Sequence, residues 1–295
     1  MNMKQKIFLS IWLISAVLFI SSCKEDPITD SGIEIPAGPQ TELDKWIDGT
    51  FRVPYNVDVQ YRWNSNISDP GHITVPPREA LVQPFLKAVL KIWLTPYIKV
   101  ADDGQDFMKD NICREMFLVG SGSYNQGGSV TLGQASGGYR ITLYTVNQFD
   151  LAGQNVSYAA LQRFFHTMHH EFGHILNQRK PYDPNFQRIT GNYTADWTIL
   201  TDAQARELGF ITAYARSADT EDFVEVLSIY MTYTETEWQK MMTSIKSTQA
   251  REYINSKLQT VGSYMQDSYG VDINELRAQI TSAMTEVAAG NLEIN

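Results

Sequence analysis

Five residues, His170-Glu171-Phe172-Gly173-His174, constrain this chain more than any others. They sit inside a run at 157–178 in which Leu161, Phe165, Met168, Phe172 and Ile175 recur at steps of three and four. That period belongs to a helix with one apolar stripe, which has to be pressed into a core. His170 and His174 fall on the side away from that stripe, so neither is needed to fill the same core wall. Four residues apart, they share a face and can grip a single ion. Glu171 directly follows the first, where it can serve a water at the metal as general base. The pattern is that of a zinc-dependent hydrolase. Gly173 lowers helix propensity by about 1 kcal/mol relative to Ala. It either lets another backbone come close or is simply tolerated.

The surrounding pattern predicts strands followed by helices. Val57, Val59, Tyr61 and Trp63 alternate with polar residues as a half-buried strand. Pro84 is expected to open a helix carrying Phe85, Val89, Ile92 and Trp93 on one stripe, and Pro96 to close it. Apolar runs at 116–119, 130–132 and 139–146, separated by Gly and Ser, read as strands. A loop at 180–196 leads to helices expected near 202–214, 220–243, 248–267 and 272–288. Strands with a helix packed on the sheet, then a run of helices, describe an α+β domain. With 295 residues, 43% hydrophobic, the chain can bury a sizeable core. Its formal charge of −9, with no basic run, argues against a nucleic-acid partner.

The N-terminus stands apart. Lys4 and Lys6 precede an apolar run at 7–20, shorter than the ~20 residues a spanning helix needs. It closes on Ile20-Ser21-Ser22-Cys23, which resembles a bacterial lipobox with Cys23 as the lipidated mature N-terminus. Lys24-Glu25-Asp26 resembles the signal that directs lipoproteins of the Bacteroidota to the outer cell face. The alternative is plain secretion. Residues 1–22 are thus expected to be a lipoprotein signal peptide, 23–43 a flexible tether and 44–295 the catalytic domain. Lipidation of Cys23 leaves Cys113, beside an apolar run, without a disulfide partner; it reads as a buried small hydrophobe.

A catalytic zinc needs three protein ligands and an open position. The three-histidine version of the motif is absent, because Asn177 and Lys180 stand where Gly and His are required. His166 shares the stripe of 170 and 174, but only 170 and 174 place a glutamate next to the first ligand. His169 and His72 read as structural or exposed. The best candidate for the third ligand is Glu221 in Glu221-Asp222-Phe223-Val224-Glu225, at the start of a second amphipathic helix. Glu221 and Glu225 share a face, so one could bind metal while the other orients a histidine. The competing reading is a set of acids favoured by the helix dipole.

The stretch 214–225 resembles the matching segment of anthrax lethal factor, in which a tyrosine stands seven residues before a zinc-ligating glutamate. That resemblance implies Glu221 as third ligand, Tyr214 as a transition-state hydrogen-bond donor and Glu225 as an acid behind the ligands. A second resemblance spans nearly the whole chain. The lipobox, Trp46, Val53-Pro54-Tyr55-Asn56-Val57, the His170–His174 motif and the Glu221–Glu225 motif together resemble the substrate import-associated zinc metallohydrolase lipoproteins of the Bacteroidota.

The resemblance implies a zincin-like fold, one zinc ion, and a lipid-anchored outer-membrane protein facing the cell exterior beside a nutrient-import complex. The expected activity is hydrolysis of a peptide or protein, with Glu171 as base. In a zincin fold, the strand at 139–146 would be an edge on which an extended peptide could be held. The competing function is a surface binding lipoprotein of a transporter with a structural zinc site.

Overall fold

Ser157 accepts a hydrogen bond from the Ala160 N–H and starts a helix, Tyr158–Arg179, around which the fold is arranged. The computed structural model describes residues 40–64, 74–124, 130, 131, 133–136, 139–150 and 156–294. The lipobox with Cys23, nearly all of the expected tether, and His72 lie outside them. One compact unit runs from Glu42 to Asn295, beginning with the helix Glu42–Ile47. No helix among the described residues is long and apolar enough to cross a membrane.

The apolar stripe of the histidine helix (Tyr158–Arg179) is buried along its length. Leu161, Phe165, Met168 and Phe172 are all fully enclosed. Phe172 meets Trp93 and Tyr97 edge-on, with ring centroids 5.3 and 5.0 Å away. Those two residues come from a helical run that departs from expectation. The helix Glu79–Val89 starts ahead of Pro84, and Pro96 does not end it. A π turn, Leu90–Leu94, with Thr95 N–H bonded to Leu90 O, feeds into the helix Thr95–Val100. The wider turn accommodates Pro96, whose ring would collide with a carbonyl of a regular helix.

The strands are β1 (Asp58–Gln60), β2 (Glu115–Leu118), β3 (Ser123–Tyr124), β4 (Val130–Thr131), β5 (Gly133–Ser136) and β6 (Arg140–Leu143). The main sheet has the order β1-β2-β6-β5, and β3 pairs with β4. β1, β2 and β6 are parallel, with Val59 opposite Met116 and Met116 opposite Ile141. β2 is buried at all four positions, as a central strand covered on both faces must be. β5 folds back antiparallel on β6. The strand expected at the edge is therefore interior, because β6 has a partner on each side. The sheet ends in β1 on one side and in β5 on the other, and β5 packs next to the histidine helix.

Two of the expected C-terminal helices are shorter than their apolar patterns. The first ends at Arg206, and Gly209 follows with φ +88°, where a Cβ would lie 2.8 Å from Tyr253. The next is divided into Asp219–Thr232 and Glu235–Ser244. Thr234 and Glu237 form a reciprocal capping box that starts a new helix there. Helices Thr248–Tyr269 and Ile273–Ala288 follow closely on the expected spans and pack against Asp219–Thr232. Cys113 is buried, and burial pushes its thiol up to about 12.

Candidate metal centre

The glutamate helix, Asp219–Thr232, lies directly against the histidine helix, and Gly173 faces Val224 and Leu227 across the contact. A Cβ on Gly173 would stand 2.9 Å from Val224 Cγ1 and 3.3 Å from Leu227 Cδ2. Of the two readings of this glycine, close packing is the one realised. The contact sets the height at which Glu221, one turn before Val224, reaches the histidines.

Three donor atoms meet there. Glu221 Oε2 lies 3.1 Å from His170 Nε2 and 3.2 Å from His174 Nε2, and the two ring nitrogens are 3.2 Å apart. Zinc bonds of 2.0–2.1 Å in a tetrahedron require ligand atoms roughly 3.3 Å apart. The observed triangle matches that edge on all three sides. Electrostatics point the same way. Burial disfavours charge on His170, yet Glu221 and Glu225 outweigh it and raise its pKa to about 10. Burial opposes ionisation of Glu221 too, but His170 and His174 hold its carboxyl far below the usual range. A carboxylate oxygen and two imidazole nitrogens converging on one point favour positive charge there, supplied by protons or by a cation that displaces them. The donor set fits zinc.

His166, His170 and Glu225 form a second group close enough to share an ion among the described residues. Its geometry is poorer. His170 Nδ1 is only 2.8 Å from Glu225 Oε1, a hydrogen bond, while His166 Nε2 is 3.0 Å from the same oxygen without hydrogen-bond alignment. Glu225 therefore sits behind His170, on the ring nitrogen away from Glu221. Its carboxyl is buried, which opposes ionisation, but His166 and His170 keep it well below the ordinary carboxylate range.

Tyr214, in the turn Tyr214–Arg216, stacks at a tilt on His170 with centroids 5.9 Å apart. Burial and the nearby carboxylate of Glu221 push the phenol well above its ordinary pKa. It remains a proton donor. Glu171 lies on the histidine helix, partly exposed between the two histidine turns. His169 is a structural residue. It is fully buried, 3.2 Å from the Tyr97 hydroxyl, and burial drives its pKa down to about 3.

Two supporting groups had no visible signal in the local pattern. Thr212 donates to Glu225 Oε2 at 2.6 Å. It falls inside the span 202–214 expected as helix; the glycine at 209 before the apolar pair Phe210-Ile211 marks the early end of that helix. Lys257, from Thr248–Tyr269, pairs with Asp222 Oδ2 at 2.6 Å, both wholly buried. Tyr193 donates to the same oxygen at 2.9 Å. Burial moves Asp222 up to about 6 and lowers Lys257, each towards its neutral form.

Residues 37–274 match the model of the family described as "Putative zinc-binding metallo-peptidase". A crystal structure of a protein given the same description, from Bacteroides caccae, is 35% identical to the chain. The alignment covers 87% of this chain and 98% of that one, with a TM-score of 0.73. No curated protein matches the chain.

Proposed function

Because the chain belongs to the family of putative zinc-binding metallo-peptidases, we propose that it hydrolyses peptide bonds at the centre formed by His170, His174 and Glu221. The observation that carries this reading is the near-equilateral meeting of His170 Nε2, His174 Nε2 and Glu221 Oε2, with Glu171 on the next helical position. Zinc bound by these three supplies a Lewis acid that polarises the scissile carbonyl and makes water a nucleophile near neutral pH.

The chain's own residues do the rest. Glu171 takes the proton of the attacking water and returns it to the leaving amine. The Tyr214 hydroxyl donates to the oxyanion as it develops. Glu225 accepts from His170 Nδ1–H, which leaves the Nε2 lone pair free for metal. β5 ends the sheet beside the histidine helix among the described residues, and an extended peptide can be aligned along that end.

The site is that of a gluzincin-type hydrolase, and its proposed setting is the outer membrane, facing the cell exterior. Ile20-Ser21-Ser22-Cys23 and Lys24-Glu25-Asp26 support a lipid anchor at Cys23. The Bacteroides source of the structural relative supports a Bacteroidota origin, and the resemblance to import-associated lipoproteins supports a place beside a nutrient-import complex. Incorporation of labelled palmitate, lost in Cys23→Ala, checks the anchor.

The activity is tested with a peptide library on wild type and Glu171→Gln, each analysed for zinc. Cleavage by wild type and its loss in Glu171→Gln, with zinc retained, is the expected result. Equal cleavage by both would falsify the mechanism. Zinc without cleavage in either would favour a binding lipoprotein with a structural metal.

A further inference from the structure

We propose that Thr212 is a positioning residue that couples His170 to Tyr214, so that the metal-holding and oxyanion-binding parts of the site keep one geometry. The inference rests on the zinc-hydrolase reading above.

The Thr212 hydroxyl has two partners. It donates to Glu225 Oε2 at 2.6 Å and accepts from the Ala215 N–H at 3.1 Å. The other oxygen of that carboxylate, Oε1, is 2.8 Å from His170 Nδ1. Ala215 directly follows Tyr214 in the turn Tyr214–Arg216. A single hydroxyl thus stands between the imidazole proposed to hold zinc and the backbone that carries the proposed oxyanion donor. The Tyr214 ring in turn lies against that of His170, with centroids 5.9 Å apart. The path from His170 through Glu225, Thr212 and Ala215 to Tyr214 therefore returns to the metal centre.

The segment holding Thr212 is fixed on both sides. Arg206 Nε donates to Ile211 O at 2.9 Å, and Ala213 N–H donates to Asp202 Oδ1 at 2.8 Å. Thr212 and Glu225 are both buried, so water cannot readily take over a lost bond. Thr212 offers the metal no ligand atom in this arrangement. Its action is orientation: removing the hydroxyl frees Glu225 Oε2 and the Ala215 N–H together while leaving every proposed ligand in place.

The test uses the full chain with Thr212→Val, Thr212→Ser and Tyr214→Phe, and the Thr212→Val/Tyr214→Phe pair. Zinc affinity is measured by competition with a chromophoric chelator, and kcat and KM on a peptide the wild type cleaves. Thr212→Val is expected to weaken zinc binding by roughly 10-fold, the low end of the range for losing a ligand's own outer partner, because Glu225 stays in place behind His170. It should lower kcat more than it changes KM, and Thr212→Ser should restore both. In the double variant the losses in zinc affinity should not add, as they would for independent sites.

Wild-type zinc affinity in Thr212→Val, equal impairment in Thr212→Ser, or additive losses in the pair would each overturn the coupling. If Thr212→Val fails to fold, Thr212→Ala carries the same comparison. A wild type that binds zinc but cleaves nothing defeats the peptidase reading alone, because the zinc-affinity cycle still decides the role of Thr212.

Discussion

Glu225 stands behind His170, its Oε1 2.8 Å from Nδ1, while the opposite ring nitrogen faces Glu221 and His174. A carboxylate in that place fixes both the tautomer and the tilt of the ring. Glu225→Ala is expected to weaken zinc binding by roughly 10–100-fold without removing a ligand atom. Chelator competition measures it, and an unchanged affinity would show that the ring is oriented by packing alone.

Metal binding should be visible as stability. A ligand that binds only the native state at one hundred times its Kd adds about 2.7 kcal/mol. Zinc is expected to raise the Tm of the metal-free chain with increasing concentration, and to do so far less in Glu221→Ala. Scanning calorimetry at several zinc concentrations checks this, and an equal rise in both would remove Glu221 from the ligand set.

Gly173→Ala sets two effects against each other. It gains about 1 kcal/mol of helix propensity, but the new Cβ would meet Val224 Cγ1 at 2.9 Å. Overpacking of this kind costs about 1–3 kcal/mol, and Val224 has little rotamer freedom in a helix. The expected outcome is a less stable protein with weaker zinc binding, recovered by adding Val224→Ala. Denaturant unfolding with zinc titration reads both effects. Wild-type zinc affinity in the single variant would mean the helices separate without moving Glu221.

Lys257→Ala should be among the most destabilising single changes. It strands the Asp222 carboxylate, which is wholly buried and whose Oδ1 already lacks a hydrogen-bond partner. Breaking one side of such a pair typically costs about 3–5 kcal/mol. The double change Lys257→Met/Asp222→Leu should cost much less, because no buried charge remains. Urea unfolding compares them, and equal losses would assign the effect to packing.

Cys113 should be inert in the native state. It is buried and its thiol is pushed up to about 12, so little thiolate forms at pH 8. Reaction with a thiol reagent is expected only after unfolding. Prompt labelling of the native protein would show that the region around β2 opens readily.

Much of the site was readable because it is local. The histidine helix, its serine cap and its buried stripe follow from spacing along one helix, where the backbone fixes which side chains share a face. The capping signals were also written locally. Thr234 and Glu237 show where an apolar pattern that looks continuous is divided, and Gly209 where another helix stops. The misjudged edge strand was of another kind. Whether β6 is interior depends on a hairpin returning along it, and alternation within a strand carries no record of its neighbours.

That His170 and His174 share a helix face with Glu171 beside them, and that Glu221 and Glu225 lie on one face of another, is legible from the order of residues. A period of 3.6 residues settles such relations within a helix. That the two faces meet, with Glu221 at the third corner and Glu225 behind His170, comes from the packing of the folded chain. The same packing brings Thr212 to Glu225 and Lys257 to Asp222. Those contacts depend on how closely two helices approach and at what height. Here that is set by a missing Cβ at Gly173 against Val224, a property of the packed pair and of neither segment alone.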